Sequence, residues 1–420
     1  MVRSTVLACD KLGANDMAVG KCEFPHMHAV PGIKLGTACA GIKQTERDDL
    51  LLIEMAEGSM CAAVFTQNAF CAAPVLVAGD NLVKQPRYLL INSGNANAGT
   101  GEQGLLDVRA SCSAVAKLGA VEREQILPFS TGVIGELLPV DKIVAALPEA
   151  QAKLQADNWT KAAHAIMTTD TFAKGYSKVI EIDGQAITIT GMSKGAGMIQ
   201  PNMATMLGFI ATDARVSQEN LQQCLSVAVE QSFNRITVDG DTSTNDACVL
   251  MASGKSSLPE IMPGSDAMQQ FQVAIQEACM HLAEAIIRDG EGATKLIKIK
   301  VQQAISNAEA LEVAKTIAHS PLVKTAFFAS DPNWGRILAA VGRSGVDNLD
   351  VNKIAIYLDD VCIVENGGRA SSYTEAAGQK VMDLQEITVT VMLGRGGLEQ
   401  QVLSCDFSYD YVRINAEYRT

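Results

Sequence analysis

The chain has 420 residues, 48% hydrophobic and 19% charged, which fits a large buried core and excludes global disorder. A formal net charge of −13 argues against nucleic acid or an anionic membrane as partner, since phosphate binding needs basic patches. No stretch approaches about 18 consecutive apolar residues, so no transmembrane helix is expected; the first ten residues reach a charge too soon for an export signal. The 11 cysteines lack CxxC spacing and read as reduced cytoplasmic thiols filling the core. His26 and His28 are the only close histidine pair, and they read as a loop rather than a metal site.

Residues 1–30 show no period. Strands are predicted over 33–37, 50–55 and 61–66, the last two joined as a hairpin through the turn 56–59. A short buried strand over 88–92 runs into an Asn- and Gly-rich loop, 93–101. That loop offers amides to a substrate, or it uses Asn and Gly for positive φ; both readings stand. Helical spacing covers 105–118. A strand over 126–130 then leads into Thr131-Gly132, where a hydroxyl and a backbone N–H can aim at one point, as an oxyanion hole requires. Most Ser-Thr-Gly runs are nevertheless plain turns. An amphipathic helix is expected over 143–154. The polar run Met167-Thr168-Thr169-Asp170-Thr171 reads in isolation as a capping segment.

The organising stretch is 194–207, close to the midpoint, between predicted strands over 186–190 and 206–210. It holds a lone lysine, Lys194, two glycines, a proline, and the pair Ala204-Thr205. The Thr205 hydroxyl could cut the bond to Ala204 and leave Thr205 as a new N-terminus. Its own amine would then be the base that activates the hydroxyl. A loop ending in a Thr-led strand is the blander reading, and residue types alone favour it.

A helix follows over 221–233. The run 237–246 carries Asp239, Asp241 and Asp246, but it lacks the glutamate of a calcium loop. It reads as a packed polar turn that holds active-site backbone. A long helix over 268–287 ends at Asp289-Gly290-Glu291-Gly292. There a carboxylate between glycines can meet an ammonium group, or simply cap the helix. A strand over 296–301, a helix over 303–318 and strands over 354–358 and 387–393 alternate as a smaller second lobe. No P-loop or dinucleotide fingerprint follows a strand. The polar and aromatic tail 409–420 is expected to dock back on the body.

Taken together, these segments resemble the ornithine acetyltransferase family of arginine biosynthesis, the self-cleaving glutamate N-acetyltransferases. The resemblance covers nearly the whole chain. It rests on Pro31-Gly32-Ile33-Lys34-Leu35-Gly36, Phe65-Thr66-Gln67-Asn68, Asn92-Ser93-Gly94-Asn95-Ala96-Asn97-Ala98, Ser130-Thr131-Gly132-Val133-Ile134-Gly135 and Met167 to Thr171. It continues through Lys194 to Leu207, Asp239-Gly240-Asp241-Thr242, Asp289 to Lys295, and the tail from Arg413 to Thr420. Each motif alone is weak; nine in order are specific, and they displace the bland readings above.

The resemblance implies an α/β fold: a layered sandwich of mixed sheets flanked by helices, N-terminal-nucleophile-like, of the aminopeptidase and ornithine acetyltransferase type, with a smaller C-terminal α/β lobe. It implies self-cleavage between Ala204 and Thr205 into an α chain, 1–204, and a β chain, 205–420. Residues 205–295 complete the main sandwich, and 296–420 form the lobe and docking tail. Thr205 would be the nucleophile, with Thr131 and Gly132 as the oxyanion hole. Substrate contacts would fall on Thr168, Lys194, Thr205, Glu291, Asn415 and Thr420. The implied reaction is acetyl transfer from N-acetylornithine to glutamate through an acetyl-Thr205 ester. No cofactor or metal is implied, although acetyl-CoA is a possible second acetyl donor. An α2β2 heterotetramer in the cytoplasm completes the expectation. The alternative is a self-processing threonine aminopeptidase or amidase that passes its acyl group to water.

Overall fold

A computed structural model describes residues 19–20, 23–43, 47–200 and 206–417. The first part folds as β1 (Ile33–Ala38), β2 (Leu50–Met55), β3 (Met60–Phe65), α1 (Ala73–Asn81), β4 (Tyr88–Asn95), α2 (Gly101–Gly119), β5 (Ile126–Val133) and α3 (Val140–Ala152). Strands β1, β2, β4 and β5 form one sheet in that order. β2 is apolar at successive positions because both of its faces are covered. Leu50 and Leu52 pack with Val108, Cys112 and Ile143 of the helices, whereas Leu51 and Ile53 point the other way, into a second sheet.

The chain continues through α4 (Trp159–Ala165), β6 (Lys174–Ile182), β7 (Gln185–Lys194), β8 (Leu207–Thr212), α5 (Gln218–Glu230), β9 (Ile236–Thr237), β10 (Ala247–Ala252) and α6 (Asp266–Arg288). The second sheet has the order β3-β10-β8-β7-β6. It faces the first through Leu207, Phe209 and Val249, and the rings of Phe129 and Phe209 meet edge-on with centroids 5.3 Å apart. Its far side, with Ile189, Ile210 and Leu250, is covered by Leu221, Leu225, Phe271 and Leu282 of α5 and α6. The main body is therefore helix, sheet, sheet, helix, as the family resemblance implied.

The expected hairpin between β2 and β3 does not form. β2 already has β1 and β4 on its two edges, so the turn 56–59 carries the chain into the other layer. There β3 pairs antiparallel with β10. The outer edge of β3 is covered by glutamines of α5: Gln218 Nε2 donates to Cys61 O at 2.8 Å and Gln222 Nε2 to Ala63 O at 3.1 Å.

The remainder comprises β11 (Leu296–Ala304), α7 (Asn307–Ala318), α8 (Pro321–Phe328), α9 (Trp334–Gly342), β12 (Ala355–Leu358), β13 (Val361–Glu365), β14 (Gly368–Arg369), α10 (Glu375–Met382), β15 (Glu386–Met392), β16 (Leu398–Cys405) and α11 (Tyr409–Ala416). A third sheet runs β14-β13-β12-β15-β11-β16-β9, so β9 ties it to the main body. Ile299, Val301, Val313, Ile317 and Val389 belong to its separate core. The helix expected from 303 begins later, because Gln303 and Ala304 stay in the strand. Ser306 instead caps α7, its hydroxyl accepting from Glu309 N at 3.1 Å. Among the described residues no helix is long and apolar enough to cross a membrane.

Candidate active site

Lys194 ends β7 and pairs directly with Leu207, the first residue of β8. The turn between them is pinned from two sides. Gly195, at φ +147°, donates its N–H to Asp170 Oδ1 at 2.7 Å. Met198 N and Ile199 N donate to the two oxygens of Asp239 at 2.6 and 2.9 Å. The aspartate-rich run thus holds backbone, as its sequence predicted. Burial raises the Asp239 carboxyl above its ordinary range, against the pull of those N–H groups. Ala204, Thr205 and Thr420 lie outside the described residues.

A cavity of about 250 Å³ lies against this turn. Its walls bring together Thr131, Gly132, Thr168, Lys194, Glu291 and Asn415, six residues drawn from five separate segments. Ala96, Gly197, Met198, Ser243, Thr244 and Asn245 also line it. A wider groove, about 1010 Å³, runs along α6 but contains none of these six. Two of the charged groups there are paired with neighbours: Glu277 with Lys178 at 2.8 Å, and Arg288 with Glu284 at 2.6 Å. The residues that the family resemblance implies therefore meet at the smaller cavity.

Gly132 is tied to its place by sterics. It sits at φ +139°, and a Cβ there would lie 2.2 Å from the carbonyl carbon of Gly94. The β4–β5 pairing shifts register at Gly94 and Asn95, which turns Thr131 and Gly132 toward the cavity wall. The Asn/Gly loop itself is scaffold. Asn92 Nδ2 donates to Asn95 O, Asn95 Nδ2 to Leu137 O, and Asn97 Nδ2 to Gly104 O. Asn97 and Gly94 use their positive φ in the turn.

Glu291 is buried rather than the exposed cap that sequence alone allowed. Its backbone N–H donates to Ala196 O at 2.8 Å. Asn415 Nδ2 of α11 donates to Glu291 Oε2 at 2.8 Å. α11 touches the main body a second time: Tyr411 OH donates to Asp239 Oδ2 at 3.3 Å. Gly292 makes room, since a Cβ there would lie 2.5 Å from Tyr411 N.

Behind the cavity lies a charge cluster that sequence reading did not assemble. Lys174 Nζ sits between Asp170 Oδ1 at 2.6 Å and Asp289 Oδ2 at 2.5 Å, all three side chains fully enclosed. Burial opposes the charged Asp170, but the ammonium groups of Lys174 and Lys194 and the Gly195 N–H hold its carboxyl below the usual range. Burial pushes Asp289 up. Lys174 is raised despite burial, because both carboxylates favour its charge. Burial lowers Lys194, while Asp170, Asp246 and Glu291 counter that shift. Lys43 donates to Met167 O at 2.5 Å, and burial, then Arg47, brings its ammonium down to about 7. The Asp170 and Asp289 motifs were visible in sequence; that Lys174 joins them depends on a contact 115 residues apart.

A hydroxyl beside a backbone N–H, an ammonium and a carboxylate around one small cavity, in a helix-sheet-sheet-helix sandwich, mark a group-transfer enzyme. The chain belongs to the ArgJ family, whose model matches residues 34–420. It is 63% identical over 391 residues to the arginine biosynthesis bifunctional protein ArgJ of Methylococcus capsulatus, covering 93% of this chain and 96% of that one. The ArgJ protein of Pseudomonas fluorescens is 55% identical, with 96% of this chain and all of that one (100%) aligned. Among solved structures, ArgJ from Bacillus halodurans matches at 42% identity and TM-score 0.49, over 50% of this chain and 99% of that chain. Ornithine acetyltransferase from Mycobacterium tuberculosis, complexed with ornithine, matches at 32% identity and TM-score 0.36, over 46% of this chain and 97% of that chain.

Proposed function

We propose that Thr205 takes the acetyl group from N2-acetyl-L-ornithine and passes it to L-glutamate through an acetyl ester on its own hydroxyl. Family membership makes the chain an acetyltransferase of arginine biosynthesis. The observation that carries the residue-level reading is the convergence of Thr131, Gly132, Thr168, Lys194, Glu291 and Asn415 on one cavity beside the turn that leads to Thr205.

The Thr205 oxygen forms a bond to the acetyl carbon, and its proton passes to the freed Thr205 amine. An α-amine has an unperturbed pKa of about 7.7–8.0, so it serves as a base near neutral pH. The Thr131 hydroxyl and Gly132 N–H stabilise the tetrahedral oxyanion. The carbon–nitrogen bond then breaks, the amine proton goes to the leaving nitrogen, and ornithine departs. Glutamate attacks the ester through its amine, which restores Thr205 and releases N-acetylglutamate. Lys194 is suited to a substrate carboxylate. Glu291, held by Asn415, is suited to the ornithine ammonium. Thr168 and Thr420 complete the substrate contacts.

Self-cleavage between Ala204 and Thr205 prepares the nucleophile and yields chains 1–204 and 205–420. In this reading 205–295 complete the main sandwich, 296–420 form the smaller lobe and tail, and the active form is an α2β2 heterotetramer in the cytoplasm. Acetyl-CoA acts as a second acetyl donor, in keeping with the word bifunctional in the relatives' name.

Intact mass under denaturing conditions tests the reading, with wild type beside Thr205→Ala. The expected result is two wild-type fragments split at 204/205, an uncut variant, and acetyl release from N-acetylornithine that depends on glutamate. Transfer by an uncut chain would remove the free amine from the mechanism. Acetyl release independent of glutamate would move the protein to the hydrolases.

A further inference from the structure

Besides the substrate carboxylate to which it is suited, Lys194 has a partner within the protein. Its Nζ lies 3.3 Å from Thr131 Oγ1 and 4.0 Å from Asp170 Oδ2, and its side chain is only 9% exposed. A charged lysine has three N–H donors and no acceptor, whereas a threonine hydroxyl has one proton and two lone pairs. In this contact the Thr131 oxygen must therefore accept. Its single proton is left for a group on another side, and Thr131 lines the cavity.

We propose that Lys194 is a positioning residue for the oxyanion hole: by donating to Thr131 Oγ1 it turns that hydroxyl's proton toward the reacting carbonyl oxygen. Without the ammonium the hydroxyl is free to rotate and to present a lone pair to the growing negative charge. Asp170 fixes Lys194 in turn. It is held by Lys174 Nζ at 2.6 Å and Thr168 N at 2.9 Å, and it accepts the N–H of Gly195, the residue after the lysine. The buried cluster thus acts on the carbonyl through one oriented hydroxyl.

This inference rests on the acetyl-Thr205 reading, and the experiment separates the two. The readout is the single-turnover rate of acetyl-Thr205 formation, followed by mass at saturating N-acetylornithine, on self-cleaved full-length protein. If wild type never becomes acetylated at Thr205, the acetyl-enzyme reading itself fails. Given acetylation, Thr131→Val should slow the step by about 100-fold. Lys194→Met should slow it by about 10-fold in the wild-type background and by less than about 2-fold in the Thr131→Val background. An equal factor in both backgrounds would mean that Lys194 acts on substrate independently of the hydroxyl, and would overturn the proposal.

A second comparison needs no lysine variant. Asp170, Asp246 and Glu291 favour the charged lysine, while burial and the neighbouring Lys174 and Lys43 disfavour it, with a net lowering from 10.5. Neutral Lys194 can accept a hydrogen bond and so no longer directs the Thr131 proton. The acetylation rate of wild type should therefore fall on the alkaline side before pH 10.5, and Thr131→Val should lack that limb. The same limb in both proteins would overturn the proposal.

Discussion

Gly197→Ala isolates the role of Glu291 with one methyl group. The backbone of Gly197 is not among the positive-φ positions, so alanine is conformationally permitted. The obstacle is the side chain opposite: an added Cβ would lie 2.3 Å from Glu291 Cδ and 2.3 Å from Oε2. Ordinary contact requires a displacement of about 1 Å. Glu291 has little slack to give, because its backbone is tied to Ala196 O and its carboxylate to Asn415. A misplacement of about 1 Å can cost about 100-fold in rate. Loss of a charge-assisted contact costs about 1.5–3 kcal/mol, or roughly 10- to 150-fold. kcat/KM for N-acetylornithine should therefore fall by about 10- to 100-fold, mostly through KM, with self-cleavage preserved and stability lowered by about 1–3 kcal/mol. Steady-state kinetics beside intact mass and a melting curve decide the matter. Glu291→Gln should lose a similar factor, and the double variant little more. Unchanged kcat/KM in Gly197→Ala would refute the placement of Glu291 against the ornithine ammonium.

Lys174→Met should lower stability by about 3–5 kcal/mol at neutral pH, because it strands two enclosed carboxylates. In wild type the raised Lys174 contributes stability that is fully present below its unfolded pKa of about 10.4 and lost only as pH rises through its higher folded value. The depressed Asp170 contributes stability present above about 3.9 and lost as pH falls through its lower folded value. Both contributions are level between pH 5 and 8, so a deficit that shrinks toward pH 5 reports carboxyl protonation in the variant. Denaturant titrations at the two pH values measure it. Gly132→Ala should either fail to fold or lose about 100-fold in acetylation rate, since its Cβ meets the backbone of Gly94 and Asn95. Deleting 415–420 removes the Asn415 contact to Glu291 and should raise hydrolysis relative to transfer, measured as acetate against N-acetylglutamate.

The sandwich followed from the family resemblance, while local pattern showed single strands and helices. The run Leu50-Leu51-Leu52-Ile53 is apolar on both strand faces because layers cover both, and the long helix α6 has the spacing and the Ser265 cap that sequence rules reward. Pairing partners were not legible. Nothing local to the turn 56–59 says that β2 is already flanked, so a hairpin was the natural reading and a change of layer the outcome. The candidate site residues came from ordered motifs rather than chemistry: Glu291 in isolation looks like a surface cap until α11 folds over it. Lys174 was missed because, although Asp170 lies four residues away, Asp289 comes near only when the end of α6 meets β6. The amide of Asn95 could not be apportioned in advance, since its acceptor Leu137 O lies on a loop whose course sequence does not give.

The second sheet draws β3, β6 and β7 from before position 204 and β8 and β10 from after it, with β8 hydrogen-bonded between β7 and β10. A cut at 204/205 therefore leaves two polypeptides that share one sheet, with β10 and β8 of the second held between β3 and β7 of the first. Before the cut, unfolding and refolding are intramolecular. After it, recovery becomes a second-order reaction between two fragments, each lacking strands that its partner holds. Refolding yield of the processed protein should depend on dilution, while that of the uncut precursor should not.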